Sequence, residues 1–594
     1  IAGIGSAFAA VGSFIGGTLG GLGFFGKALL SIGLNLATAA LQKAFGPKQK
    51  APPSGVELEL QLGENVARKV VCGRAGIAGH FNYANAYGTA NGTLQQGFVL
   101  SDFFTTALDK IWIDGEMVTL GAEDATKGFV ATSGEYAGKI WFKFHDGRQT
   151  SADSGLVSGS NPTGRWTSDH VGYGTSYVVA TLQYDREKLT QPPQFLFELR
   201  GAPLYDPRKD STVGGSGLHR WADQSTWEYS ANPALIDYNY RRGFSINADL
   251  FCGMGMPASD LPIDKYVMAA NICDEDVSGR TRYVCSIGLD CAQEHGDNIK
   301  AIMIACGGIV VNAVDGSFPI IGTAQATVAT LTEADLVVGQ PVNFQRRRPM
   351  DDLVNSVQGT YPNPDNQWSA AGYQRATDAS LVTLDRRTRD VAMDFGTVPD
   401  GEQASQLAAI YLSENRFEAT ASIVVRARWQ VLEVGDWISL QLRYGTFTMM
   451  VTDTELFSLD KDKPRCVALT LQQRDGDIYG NVGVTLPTTP LPPAQPVFQE
   501  ELVDFAVVAI SVLGADGRAR PAIRVSWTAP SDATVSGIIL QWRVKSQPDD
   551  VFDRTVTVGQ TIAIIADGIM SSSIYEVRHK LIADPARSTS PSAY

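Results

Sequence analysis

Two stretches of this 594-residue chain, "DKIWIDGEMV" (109–118) and "KIWFKFHDGRQ" (139–149), place Asp-Gly beside runs of β-branched and aromatic residues. Asp-Gly accepts the left-handed backbone that a tight turn between strands demands, so the pattern predicts strands and turns. "TSYVVATLQYD" (175–185) and "QFLFELRG" (194–201) continue it, and Val56, Leu58, Leu60 and Leu62 alternate with polar residues as a half-buried strand would. An antiparallel β region is therefore expected over 56–205, with long glycine and serine loops such as 151–165. Fifty-nine glycines and 9% aromatic residues suit a turn-rich β protein.

The periodicity then changes. "NPALIDYNYRRG" (232–243) and "PIDKYVMAANICDE" (262–275) open with proline and read as helices, and "DNIKAIMIACGG" (297–308) reads as a third, capped by Asp297 and stopped by glycine. Short strands and loops return over 309–400. "DGEQASQLAAIYLSENRF" (400–417) predicts one more helix, followed by strands at "ATASIVVRARW" (419–429) and "GDWISLQL" (435–442). The expected fold is mainly β with α+β parts, divided into an α+β region over 206–400 and a helix plus barrel-like sheet over 401–485. Pro487, Pro490, Pro492, Pro493 and Pro496 make 486–497 a stiff linker. Beyond it, "AIRVSWTAP" (522–530), "GIILQWRV" (537–544) and "SIYEVRHKL" (573–581) put Trp527, Trp542 and Tyr575 in the core of a small β-sandwich. That pattern over 498–594 resembles a fibronectin type III domain.

Residues 3–42 contain a single charge, Lys27. An apolar run of this length needs lipid or protein cover. Residues 1–50 read as a glycine-rich helical segment: Gly12, Gly16 and Gly20 recur at four-residue spacing, with Gly17 and Gly21 beside them, a stripe that lets helices approach closely. A basic n-region is missing, which argues against a secretory signal. Gly21–Gly26 matches GxGxxG without a preceding strand, so a dinucleotide site is not expected. "PKQKAPPSG" (47–55) ends the segment.

The net charge of -14 argues against broad binding to nucleic acid. The seven cysteines include no CxxC, and the six histidines form no HExxH or metal-spaced cluster. Cys252, Cys273 and Cys306 lie in apolar surroundings and are expected in a core. No GxSxG or Walker loop is present, and Asp274-Glu275-Asp276 and Asp475/Asp477 read as solvated loops. No catalytic residue, metal or cofactor is expected. Arg346-Arg347-Arg348 is the one basic run; DNA phosphates or an acidic neighbour could meet it, and in so acidic a chain it suits an acidic neighbour at a subunit interface better.

"RGAPLYDPRKDS…GSGLHRWADQSTWEYSANPALIDYNYRRG" (200–243) resembles the central tail-tip hub protein of long-tailed phages, the lambda-type tip attachment or host-specificity family, and the related hubs of gene transfer agents. The shared elements are Tyr205, Asp206 and Arg208 of "YDPR", Trp221 and Trp227, and Asn232 opening "NPAL…Y". "NSVQGTYPNPDNQW" (355–368) and "VLEVGDWISL" (431–440) are similar to the family as well. The resemblance implies a virion protein assembled in the host cytoplasm: a homotrimeric hub at the distal tip of the tail that closes the tube. Its partners would be the distal tail protein ring, the tape-measure protein and other tip and fibre proteins, with the apolar start in the lumen until ejection through the host envelope membrane. The aromatic residues, Asp206, Arg208 and Asn232 become candidates for packing between domains or subunits, Asp206 and Arg208 each with other neighbours. Two other readings stay open: a membrane-anchored cell-surface or pore-forming protein whose fibronectin-type domain binds a partner, and a peptidoglycan or capsule hydrolase.

Overall fold

The computed structural model describes residues 54–63, 66–185, 188–189, 192–313, 315–458, 465–480, 501–514, 517–532, 534–583 and 591–594. The expected helical segment 1–50 with its glycine stripe (Gly12, Gly16, Gly17, Gly20, Gly21) and the proline linker 486–497 lie outside the described residues. The protein is mainly β with α+β parts. It divides into two compact units, one built on 54–183 with 192–480 and one on 184–185, 188–189 and 501–594.

The first unit begins with two facing sheets. One has five strands in the order Val56–Glu57, Arg74–Ile77, Phe195–Arg200, Ala107–Ile113 and Glu116–Val118. The other has six, ordered His80–Tyr87, Thr93–Ser101, Ser176–Gln183, Ile140–Asp146, Gly128–Ala131 and Leu120–Asp124. Phenylalanines from both sheets fill the space between them: Phe98 and Phe142 of the second stand edge-on to Phe195 of the first, at 5.5 and 5.4 Å between centroids.

Asp114-Gly115 turns the first sheet's last hairpin with φ of 48° and 84°. Asp146-Gly147 instead ends a strand whose partner, Ser176–Gln183, arrives some thirty residues later, and between them lies the short helix α1 (Ser154–Gly159). The alternation at 56–62 also yields less than it promises. Only Val56–Glu57 is strand, and it pairs in parallel; Leu58 and Leu60 stay 45% and 43% exposed, since no second layer among the described residues covers them.

The helices follow the proline signals. α2 (Pro233–Arg242) and α3 (Ile263–Cys273) lie within the predicted spans. α4 (His295–Ala305) starts two residues before the expected cap: Glu294 occupies the cap position without a side-chain bond, and Asp297 sits in the first turn, where its charge still favours the helix dipole. A short helix α5 (Ala379–Asp385), at 7 residues too short for the periodicity to register, lies where strands and loops were expected. α6 (Gly401–Asn415) is capped by Asp400, whose carboxylate accepts from the N–H groups of Glu402 and Gln403. These helices surround a core that includes Tyr240, Phe244, Cys273, Ile302, Cys306, Phe395 and Leu407.

A third sheet closes the unit: Thr327–Thr332, Trp437–Leu442, Gly445–Ser458, Arg465–Gln473, Thr420–Arg426 and Asn343–Gln345. Its outer strands come from before α6 and its inner ones from after it, and the first pair is parallel. After leaving the first strand the chain bridges to the fifth, Leu336 to Val425, which curls the sheet on itself.

The second unit stacks two three-stranded sheets, Ala506–Leu513 / Ala519–Ser526 / Ile562–Ile565 and Val551–Thr557 / Val535–Val544 / Tyr575–Ala583. Val525, Trp527, Ile538, Leu540, Trp542 and Leu581 fill its core, with Tyr575 at the margin. No described helix is long and apolar enough to cross a membrane.

Candidate functional site

The residues singled out between 205 and 243 converge on one place. A short strand, Pro203–Leu204, pairs with Glu228–Tyr229 and delivers Tyr205 to the flank of α2. There Tyr205 N–H donates to Asn239 Oδ1 (3.0 Å), and Asn239 Nδ2 donates back to Tyr205 O (2.9 Å). The phenol donates to Asp210 Oδ2 at 2.7 Å, and burial followed by that carboxylate raises its pKa. Arg220 donates to the other oxygen of Asp210, Oδ1, at 2.9 Å.

Asp206 and Arg208 partner each other, contrary to the expectation from their closeness in sequence. Asp206 caps the 3-10 turn Pro207–Lys209, and that turn folds the guanidinium back so that Nε and Nη2 meet Oδ1 and Oδ2 at 3.0 and 2.8 Å. The same Nη2 reaches Asp274 Oδ2 (2.8 Å) and Nη1 reaches Asn271 Oδ1 (3.1 Å), both at the end of α3. One planar fork thus rivets the turn to a helix C-terminus, a task for arginine rather than lysine.

The aromatic residues divide by exposure. Tyr205 (2%) and Trp227 (6%) lie inside this chain in a cluster with Tyr238 and Tyr266. Trp227 Nε1 donates to Arg220 O at 2.9 Å. Trp221 is half-buried; Arg242 stands 4.1 Å from its ring centroid, and the ring borders a groove of about 690 Å³ lined also by Phe104, Arg148, Tyr173 and Asn247. Asn232 caps α2 through Oδ1 and ties it to α3 by donating from Nδ2 to Ala270 O at 2.8 Å.

Histidine 219, which sequence reasoning passed over, is buried in the same joint. Its Nδ1 accepts from Asp206 N–H at 3.1 Å, its Nε2 has no hydrogen-bond partner, and burial lowers its pKa. Deeper still, Asp237 and Arg241 of α2 form an ion pair at 2.8 Å, completed by Tyr266 OH to Asp237 (3.1 Å) and by Arg241 to Ser317 Oγ (2.8 Å). Both are spaced i,i+4 on a helix, and that spacing was the available signal.

The motif 355–368 forms a second joint. Trp368, 1% exposed, donates from Nε1 to Glu198 Oε2 at 3.1 Å, and Arg74 clasps Glu198 Oε1 through Nε and Nη2 at 3.0 and 2.7 Å. Gln367 donates to Gly115 O at 2.6 Å. Gln367 and Trp368 both take left-handed φ, 52° and 60°, to turn the indole inward, and a Cβ at Gly76 would overlap that ring. At the motif's start, Asn355 donates to Asp385 Oδ2 (2.8 Å) and Arg387 O (2.9 Å), and Asp385 is paired with Arg416.

Of the basic run, Arg346 and Arg347 are exposed. Arg348 is half-buried against the end of α6: its N–H donates to Glu418 Oε2 (3.0 Å) and its Nη2 to Asn415 O (2.5 Å), cation against helix C-terminus. The acidic groups serve locally. Asp274 holds Arg208, Glu275 holds Arg282 at 2.8 Å, Asp276 accepts from Gly279 N–H, and Asp475 caps a 3-10 turn. Among the described residues no group of three or more His, Cys, Asp or Glu is placed to hold a metal. Cys252, Cys273 and Cys306 are buried, as expected.

These joints were compared with known proteins. No curated protein matches the chain. A chain from the virion of a native gene transfer agent particle aligns over 81% of this chain and 98% of its own length, at 18% identity and a TM-score of 0.48. The tail protein from Neisseria meningitidis MC58 aligns over 66% and 90%, at 10% identity and 0.26. The 43 kDa tail protein of prophage MuSo2 from Shewanella oneidensis aligns over 70% and 98%, at 7% and 0.25. At these scores the likenesses carry no functional argument. The sequence itself does: residues 296–454, running from α4 into the strand Gly445–Ser458 of the curled sheet, match the family described as "Putative phage tail protein". Over that segment the chain is similar to phage tail proteins.

Proposed function

We propose that the chain is the central hub of a tail tip: a homotrimer that closes the tail tube, joins the distal tail ring above to a central fibre below, and assists genome ejection. The observation that carries this reading is how the family-like motifs are spent. Tyr205, Arg208, Asn232, Glu198 and Trp368 fasten segments distant in the chain, and Asp206 and Trp227 brace the first of these joints locally. A part that transmits force between a ring and a fibre needs rigid internal joints more than it needs a reactive centre. Arg346 and Arg347, together with the Trp221 groove, are the members of the candidate set that remain accessible to neighbouring subunits. The two-sheet unit 501–594 takes the place of a fibronectin-type module leading toward the fibre. Residues 1–46, apolar and glycine-striped, line the lumen beside the tape-measure protein and meet the envelope membrane at ejection.

Antibody labelling of particles against residues 56–485, followed by electron microscopy, tests the assignment. Label confined to the distal tip of a tail, with a threefold mass in native mass spectrometry, is expected. Label along the tail shaft, or on cell envelopes without tailed particles, would overturn it.

A further inference from the structure

Two cysteines that the tail function leaves unused meet at the edge of the helical core. Cys252 ends the hairpin Phe244–Ile246 / Asp249–Cys252, opposite Phe244, and is 4% exposed. Cys291 follows the strand Ile287–Asp290, which pairs with Lys69–Cys72, and is exposed.

Independent contacts draw these segments together. Cys291 N–H donates to Arg68 O at 3.0 Å, and the Arg68 guanidinium lies over the ring of Phe251 at 5.8 Å. Asn298 of α4 donates both to Asp290 O (3.0 Å) and to the hydroxyl of Tyr240 (2.9 Å), while Tyr240 O accepts from Met254 N–H (3.0 Å). Within this frame each of the two thiols shifts the ionisation of the other.

We propose that Cys252 and Cys291 are a redox pair that closes to an intramolecular disulfide when the virion leaves the reducing cytoplasm and meets a low-molecular-weight disulfide. The Cys291 thiolate attacks one sulfur of that disulfide, forming a mixed disulfide and releasing a thiolate that takes up a proton. Cys252 then loses its proton to solvent and attacks Cys291 Sγ, expelling the second small thiol. Two protein thiols are oxidised and one small disulfide is reduced to two thiols, so electrons and protons balance.

The environment sets the order of attack. The neighbouring Cys252 holds the Cys291 thiol below its ordinary range, so the exposed sulfur is the first nucleophile; Cys291 in turn, with burial, pushes Cys252 up. The bridge would fix the hairpin whose Ser245, Asn247 and Ala248 wall the groove beside Trp221.

The test treats the native full chain with oxidised glutathione, then unfolds it in denaturant, alkylates it and maps it by mass spectrometry. Loss of two hydrogens, one Cys252–Cys291 linked peptide and full alkylation of the remaining cysteines are expected. Cys252→Ser should accumulate a stable glutathione adduct on Cys291, and Cys291→Ser, a change at an exposed position, should leave Cys252 unmodified. An unreacted wild-type protein, an adduct on Cys291 that never resolves, or modification of Cys252 in Cys291→Ser would each overturn the proposal.

Discussion

The two units solve the problem of a stable interior differently. The first carries charge into its core: Glu198, Asp206, Asp210, Asp237, Arg241, Asp335 and Asp385 are each no more than 6% exposed, and all are bound by side chains from other parts of the fold or from the adjacent helical turn. In the second, His579 is the one buried polar or charged residue among those described, and the rest of the interior is aliphatic or aromatic. Apolar burial is non-directional, whereas a buried carboxylate demands its partner at one distance and angle. The difference is between a unit that must hold one arrangement of its parts and a unit that has only to stay folded.

Breaking a buried pair should show the contrast most strongly. Asp237→Ala strands Arg241 without its counter-charge and should cost the first unit about 3–5 kcal/mol in calorimetry, while the double change Asp237→Leu with Arg241→Met should recover most of the loss. If the single and double variants are equally unstable, packing rather than charge governs that core. In the second unit, Trp542→Ala removes a large core ring and should cost about 3 kcal/mol without altering the first unit's transition. Arg208→Lys keeps the charge but loses the fork across Asp206 and Asp274; about 1 kcal/mol in urea titration is expected, with a smaller deficit at high salt.

Acid should weaken both units, by the smallest margin. Burial holds His219 and His579 below the ordinary imidazole value of 6.5, so each unfolded chain takes up a proton that the folded one resists. The stability tied to them is whole above 6.5 and declines as pH falls below it. Each ring also accepts a backbone N–H that protonation would displace: Asp206 to His219 Nδ1 at 3.1 Å, and Leu502 to His579 Nε2 at 3.0 Å. Melting scans at pH 7 and pH 5 should show a drop that His219→Gln or His579→Gln reduces in its own unit. An unchanged pH response in both variants would assign the drop to carboxylates. Asp153 is one such group: burial opposes its charge, but bonds from His145, Leu156 N–H and Lys143 outweigh burial and bring it to about 2, so its contribution fades only in stronger acid.

Much of the fold could be read from local rules. Proline at the starts of α2 and α3, Asp400 before α6, and Asp114-Gly115 each act within a few residues, where sequence is a direct record of geometry. The same rules misjudged Leu58 and Leu60, because alternation shows which side of a strand is apolar and not whether anything lies against it. The joints were half legible. The motif drew attention to Tyr205 and Trp368, yet their partners Asn239 and Glu198 are supplied by tertiary contact 34 and 170 residues away. Asp206 and Arg208 were misread because two residues of spacing looked too short for a pair, until a 3-10 turn bent them together.

The Trp368–Glu198 contact also sets a schedule. Glu198 and Arg74 leave the ribosome well before Trp368, which follows 170 residues behind Glu198, and at cellular elongation rates that interval is about 10–30 s. Until the indole is made, Glu198 lacks that donor and has Arg74 and Lys110 as its ion-pair partners, and Gly76 lacks the ring that stands against it in the fold. The indole's arrival supplies the donor and the ring in one event, so the N-terminal sheets acquire their final boundary only when a much later part of the message has been translated.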